Sequence, residues 1–182
     1  MGKSDSTLIA IGDGELAEAT GVLKELLSLL RKKDDPRIVV VTVATSKAKS
    51  AREKYNSLFR AHDIKQVETV DKEQRDDAFN ESSLKKVSNA DTIFFSGGDQ
   101  LNVTTLLGGS PIHNLIHDKF HKGIIIAGTS ERAAMMSSSM ITSGSTGNPP
   151  AVDGVEFAPG MDFVEGTVIN TLFPSVHAMN AC

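Results

Sequence analysis

The chain has 182 residues and a formal net charge of −4, and its length fits one domain with a sizeable core, so a single domain over residues 1–182 is expected. Because Lys and Arg do not outnumber the acidic residues, the composition argues against a nucleic-acid partner. With no run approaching the roughly 18 apolar residues of a membrane span, and with Cys182 as the one cysteine, a protein of the reducing cytoplasm without a membrane partner is expected.

Short β-branched runs alternate with amphipathic stretches along most of the chain. Strands are predicted at residues 8–11, 38–43, 66–70, 92–96 and 123–127. Apolar residues recur at helical spacing over 16–30 and 51–59. Strands that are apolar throughout and separated by helices indicate a doubly wound α/β fold, with a mostly parallel sheet and helices on both faces.

The end of the chain has a different character. Residues 131–140 follow the fifth predicted strand and have a helix-like pattern. After Ser143 the sequence becomes rich in Gly, Ser and Pro, which predicts a loop. Two more short strands are predicted at 155–157 and 167–169.

Ser130 ends the short loop predicted at 128–130, between the fifth predicted strand and the predicted helix. A sharp turn between a strand and a helix exposes its side chain and leaves free N–H groups beside it. Ser130 is therefore a candidate nucleophile, and a helix N-cap is the alternative interpretation. The nucleophile-elbow pattern G-x-S-x-G lacks its last glycine here, because Arg132 occupies that position.

A second candidate loop follows the fourth predicted strand and reads Gly-Gly-Asp-Gln over 97–100. Paired glycines allow backbone N–H groups to approach a ligand oxygen closely. Parallel sheets place their sites at the carboxyl ends of the strands, so Gly98 and the amide of Glu131 could form an oxyanion hole beside Ser130. Asp99 and Gln100 belong to this loop and are candidate site residues for the same reason, while an ordinary tight turn is the alternative.

The histidines offer no evident catalytic base. His113, His117 and His121 recur at a spacing of four residues on one predicted helix face. A solvated face is favoured there over a metal site, because no carboxylate accompanies them in a metal-binding pattern. Neither a metal nor a cofactor is therefore expected.

The first loop, at 12–17, formally matches the dinucleotide pattern G-x-G-x-x-A. That pattern requires an acidic residue at the end of the second strand, where the chain instead reads Val43-Ala44-Thr45. A nucleotide-binding module is therefore a minor alternative. Glu15, in this loop, is also typical of an acidic residue in the first turn of a helix.

Three motifs together resemble the cyanophycinase branch of peptidase family S51, whose fold is similar to that of class I glutamine amidotransferases. They lie at residues 94–101, 106–111 and 126–130, and the similarity extends from residue 8 to about 173. The resemblance implies a serine exopeptidase that hydrolyses multi-L-arginyl-poly-L-aspartate (cyanophycin) to β-aspartyl-arginine dipeptides, and a homodimer. It also implies that Ser130 is the nucleophile, that Gly98 and Glu131 form the oxyanion hole and that Gln100 contacts the substrate. Glu15 matches part of the family's acidic first loop.

The chain departs from the family at the elbow and at the base. The family reads Ser-Ala-Gly-Ala where this chain has Glu131 and Arg132 after the serine, and Leu172 occupies the position of the family's histidine base. The acid of the triad lies further along the family's sequence, so an incomplete domain is expected, and a frameshift is a hypothesis for the tail at 175–182. Very low activity is predicted, and a peptide-binding or vestigial protein without turnover is the alternative.

Overall fold

A computed structural model of the chain describes residues 6–12, 20–42, 48–71, 79–96, 99–129, 131–144 and 155–170. Its strands are β1 (Thr7–Ile11), β2 (Arg37–Val41), β3 (Gln66–Val70), β4 (Thr92–Phe95), β5 (Ile125–Thr129), β6 (Ser139–Gly144) and β7 (Val155–Pro159). Its helices are α1 (Thr20–Leu30), α2 (Ala48–Arg60), α3 (Glu81–Asn89), α4 (Gln100–Leu107), α5 (Pro111–Phe120) and α6 (Glu131–Ala134).

Five parallel strands form the central sheet in the order β1-β5-β4-β2-β3. Neighbouring residues of β2 point to opposite faces, so that Ile38 and Val40 join one core cluster and Val39 and Val41 join the other. Helices α1 and α2 pack on the first cluster, whereas α3, α4 and α5 pack on the second. The predicted α/β sheet with helices on both faces is confirmed.

The fifth strand lies two residues later than predicted. Gly123 has a φ of +89°, and its N–H donates to the Phe120 carbonyl, so it belongs to the turn that ends α5. The strand therefore begins at Ile125 and includes Gly128 and Thr129, which were predicted as part of the following loop. The predicted strand at 66–70 coincides with β3.

The long helix predicted at 131–140 is wrong beyond Ala134. Residues 135–137 instead accept hydrogen bonds from a later segment: Met161 N–H donates to the Met135 carbonyl at 2.6 Å, and Phe163 N–H donates to the Met136 carbonyl at 2.9 Å. This distant pairing overrides the local helical pattern. Gly160 permits the contact, because a Cβ there would lie 1.9 Å from the carbonyl oxygen of Ser137.

Strands β6 and β7 pair in antiparallel fashion, separately from the central sheet. Strand β6 was not predicted, and it ends at Gly144, within the region predicted as a loop. The strand predicted at 155–157 is present and extends to Pro159 as β7. The strand predicted at 167–169 is wrong, because these residues pair with no strand in the described part of the chain and Val168 is exposed. None of the described helices has both the length and the apolar surface that a membrane crossing requires.

Candidate active site

Three parallel strands end side by side at the position where the sequence placed the nucleophile. Thr129, the last residue of β5, pairs with Ile11 of β1, and Gly128 pairs with Phe95 of β4. The segments that follow β1, β4 and β5 therefore leave the sheet from adjacent positions. The strand ends before the first loop, the glycine-pair loop and the elbow thus lie at one sheet edge, as expected for a doubly wound fold.

The elbow requires a glycine before the candidate nucleophile. A Cβ at Gly128 would lie 2.6 Å from Met136 Cε and 3.1 Å from the carbonyl oxygen of Arg132. Helix α6 thus packs directly against the end of β5, through the main chain of Arg132. Gly128 accommodates this close approach of strand and helix.

Gln100 lies at the start of α4, just beyond β4, and its residue is only 8% exposed. Its Nε2 donates to the carbonyl oxygen of Ile141 on β6 at 2.6 Å. Its Oε1 is buried, and no described residue donates to it. A buried acceptor without a donor costs free energy, so an N–H group that came within reach of Oε1 would form a favourable hydrogen bond.

Asp99 acts as a helix cap. Its backbone is extended, and its Oδ1 accepts a hydrogen bond from the Leu101 N–H at 2.8 Å. This is the usual bond of an N-cap aspartate. The capping contact accounts for the presence of an acidic residue at this position, whereas its predicted contact with substrate stays a prediction.

The other predicted site residues fall where side chains are not described. Ser130, Gly98, Glu15 and Leu172 lie outside the described residues, and Glu131 is placed only as the first residue of α6. Their predicted roles therefore stay predictions. The dinucleotide-like first loop is described only to Gly12.

Sequence reasoning missed the burial of Arg132. The residue is only 2% exposed, although it follows the candidate nucleophile by two positions. A charged side chain is rarely buried this far unless it makes polar contacts. One feature of the sequence could have indicated this burial: the charged pair Glu131 and Arg132 directly precedes the apolar run at 133–136.

The histidine face of α5 is partly covered, which corrects the prediction of a solvated face. His117 Nε2 donates to the Met161 carbonyl at 2.6 Å, and its ring stacks on Phe163 with centroids 4.7 Å apart. His113 lies beside it, with ring centroids 4.6 Å apart. Within the described ranges, no three His, Cys, Asp or Glu side chains gather into a group that could hold a metal ion.

Burial lowers the pKa of His113 from its usual value of 6.5, and the neighbouring His117 lowers it further. The Met161 carbonyl and the Asp162 carboxylate act in the opposite direction. His113 Nδ1 accepts a hydrogen bond from the Gly109 N–H at 3.3 Å, so protonation of this nitrogen would replace an acceptor with a second donor. The neutral imidazole is therefore the favoured form.

Comparison with known proteins agrees with this architecture. The sequence model of Peptidase family S51 matches residues 8–172. A cyanophycinase from Synechococcus elongatus is 30% identical over 140 residues, which cover 76% of this chain and 44% of that protein. A cyanophycinase from Geminocystis herdmanii is 27% identical over 146 residues, which cover 80% of this chain and 54% of that protein. The chain thus matches about half the length of these curated relatives.

Solved structures show the same fold. A peptidase from an acI-B1 Actinobacterium superposes with a TM-score of 0.60 at 21% identity, over 86% of this chain and 64% of that one. A putative peptidase E protein from Listeria monocytogenes superposes with a TM-score of 0.50 at 15% identity, over 87% of this chain and 75% of that one. At these identities the likeness concerns the fold alone.

Proposed function

Because this chain belongs to peptidase family S51, we propose that it is a cytoplasmic serine-type peptidase of the cyanophycinase kind, with slow turnover. Its substrate would be cyanophycin or a related β-aspartyl peptide. The 30% identity to a cyanophycinase supports this substrate class. The structural observation that supports it best is the unsatisfied amide of Gln100. Its buried Oε1 has no donor among the described residues. Gln100 follows β4, which lies next to β5, the strand that leads to Ser130.

In the proposed reaction, Ser130 Oγ attacks the carbonyl carbon of the scissile amide. A C–O bond forms, and the N–H groups of Gly98 and Glu131 stabilise the negative charge on the former carbonyl oxygen. The C–N bond then breaks, solvent water carries the proton of the serine hydroxyl to the leaving amine, and a second water hydrolyses the acyl-enzyme to the free carboxylate and Ser130. Leu172 cannot accept the serine proton, so the attack lacks its usual base and turnover is slow.

Labelling with a fluorophosphonate tests the nucleophile independently of the substrate. We expect slow labelling of the wild-type chain and none of Ser130→Ala. Ser143→Ala is the matched control, because Ser143 is exposed on β6 and donates to Glu156 Oε2 instead. Equal labelling of the wild type and Ser130→Ala would exclude Ser130 as the nucleophile.

The substrate is tested with purified cyanophycin and mass spectrometry of the products. We expect β-aspartyl-arginine to appear in the presence of the wild-type chain and not with Ser130→Ala. Release of free arginine alone would instead indicate a different bond specificity. Sedimentation velocity on the same preparation tests the homodimer that we include in this proposal.

Binding without turnover is the second candidate function, and Leu172 at the base position favours it. In this case β-aspartyl-arginine binds to the wild type in calorimetry, whereas neither labelling nor product is detected. Gln100→Met should weaken that binding, because the substitution removes the buried Oε1 acceptor.

A further inference from the structure

A polar cavity of about 410 Å³ opens where β3 ends, between α2 and α3. Arg52 and Asn56 of α2 line it, together with Asp71 and with Ser82 and Lys86 of α3. Its volume is within the range of small-molecule sites. In the sheet order β5 and β3 are separated by β4 and β2, so the two strands lie roughly 14 Å apart at the usual strand spacing. The cavity is thus distinct from the candidate active site.

Two cationic side chains, Arg52 and Lys86, and one carboxylate, Asp71, line this cavity. Arg52 forms an ion pair with Asp71, and Thr42 Oγ1 donates to the same carboxylate. Lys86 Nζ donates to the Thr69 carbonyl at 2.9 Å. This bond uses one of the three N–H donors of the ammonium group. The other donors of Lys86 and the half-exposed guanidinium of Arg52 are therefore suited to an anion.

The same cavity also offers acceptors. Asn56 lines it, and Asn56 Oδ1 is buried with no hydrogen-bond partner among the described residues. Rotation about the soft terminal torsion of the side chain turns this oxygen towards a donor in the cavity. The carboxylate of Asp71 can also accept an N–H group. It repels anions, and it repels a phosphate dianion more strongly than a singly charged carboxylate. The ligand that complements the cavity therefore carries an anion and a hydrogen-bond donor close together.

We propose that this cavity binds a small molecule that has a carboxylate next to an N–H group, such as an amino acid or the carboxyl end of a short peptide. Lys86 and Arg52 bind the carboxylate, and Asn56 Oδ1 accepts the N–H. This site goes beyond the proposed peptidase function and does not depend on Ser130, so each can fail without the other.

The ligand chemistry is tested on the wild-type chain by NMR, with N-acetyl-L-alanine as the probe. We expect saturable shifts of the backbone amides of Ser82, Ser83 and Lys86. N-acetyl-L-alanine amide lacks the carboxylate and acetate lacks the N–H, so each should bind about tenfold more weakly or worse. Phosphate should also bind more weakly than the probe. Equal responses to all four compounds, no response, or shifts confined to α4 and α6 would each overturn the proposal.

Variants test the residues. Asn56→Asp keeps the size of the side chain but places a negative charge beside the carboxylate, so probe affinity should fall at least about tenfold. Asn56→Ala should weaken binding and unfold at no lower temperature than the wild type, because the buried oxygen has no partner to lose. Ser57→Ala, an exposed neighbour, is the control and should bind normally. Unchanged binding by both Asn56 variants would overturn the assignment.

A second pair of variants tests the cation on α3. Lys86→Gln should weaken binding of the probe. Lys85→Gln should leave it unchanged, because Lys85 is exposed on the same helix and is not among the residues that line the cavity. Equal effects of the two substitutions would show that only net charge matters, which would exclude a specific site.

Discussion

Gln100 at the start of α4 donates from Nε2 to the main-chain oxygen of Ile141, 41 residues later and on a different sheet, at 2.6 Å. The bond holds the amide in one orientation, in which Oε1 is buried and has no donor among the described residues. The side chain thus connects the β6–β7 pair to the edge of the central sheet, and its buried acceptor stays unsatisfied among the described residues.

Measurements of stability and of ligand binding on Gln100→Met distinguish these two roles of the side chain. The substitution removes a hydrogen bond worth about 1 kcal/mol, but it also removes a buried acceptor whose unsatisfied state costs about as much or more. The free energy of unfolding, measured in urea, should therefore change by less than about 1 kcal/mol, while binding of β-aspartyl-arginine weakens. A large loss of stability with unchanged binding would show that Gln100 is only a structural connection.

Asp99 should behave as a cap. Asp99→Ala removes the bond to the Leu101 N–H and should lower the free energy of unfolding by about 1 kcal/mol. Asp99→Asn should retain most of the stability, because asparagine caps helices about equally well. If Asp99→Asn instead weakens peptide binding as much as Asp99→Ala does, the carboxylate has the predicted role in substrate binding.

Two glycine substitutions should change the free energy of unfolding in opposite directions. Gly128→Ala places a Cβ against Met136 and the main chain of Arg132, so it should destabilise the fold by about 1–3 kcal/mol. At Gly21, the second residue of α1, an added Cβ meets no described atom within 4 Å beyond its chain neighbours and its own helix backbone, so Gly21→Ala should stabilise the fold by up to about 0.5–1 kcal/mol. Chemical denaturation measures both. Equal effects would contradict the close packing of α6 on β5.

The sequence predicts the central sheet well because both faces of it are buried. Strands such as 38–41 are apolar at every position, and the turns at their ends are rich in small or polar residues. The pattern therefore predicts buried parallel strands without knowledge of their partners. Loop positions follow from the same rule, which is why Gln100 could be named as a candidate site residue from its place after a strand.

Residues 135–144 and their pairing with the 160–163 segment could not be predicted in this way. Residues 135–137 have a helical pattern, but their carbonyls bind the N–H groups of 161–163. The energy of that contact depends on residues more than 20 positions away, including Gly160, whose missing Cβ allows the approach to Ser137. The coverage of His117 by Phe163 has the same origin, so the solvated histidine face was a reasonable but wrong expectation.

Acid should destabilise the contact between α5 and the 161–163 segment. The folded chain holds the pKa of His113 below 6.5, so between these two values the unfolded chain binds a proton that the folded chain does not. The free energy of unfolding should therefore fall as the pH drops below about 6.5, which is the usual pKa of a histidine. His113→Gln should reduce this dependence, and denaturation at a series of pH values measures it.

His62→Gln is the control for that measurement, because His62 lies in the turn after α2, away from α5. It should keep the pH dependence of the wild type. If His113→Gln keeps it as well, burial of His113 does not determine the acid sensitivity, and the Asp162 and Met161 contacts must hold the charged form more strongly than the burial opposes it.

Leu172→His should increase the reactivity of Ser130. The resemblance places the family's base at this position, and loss of a catalytic base commonly costs several orders of magnitude in rate. A histidine there should therefore raise the rate of fluorophosphonate labelling by about tenfold or more, with a dependence on pH near 6.5. The gain should disappear in the double variant that also has Ser130→Ala. An unchanged rate would mean that residue 172 is not within reach of Ser130, so the family's base position would not apply to this chain.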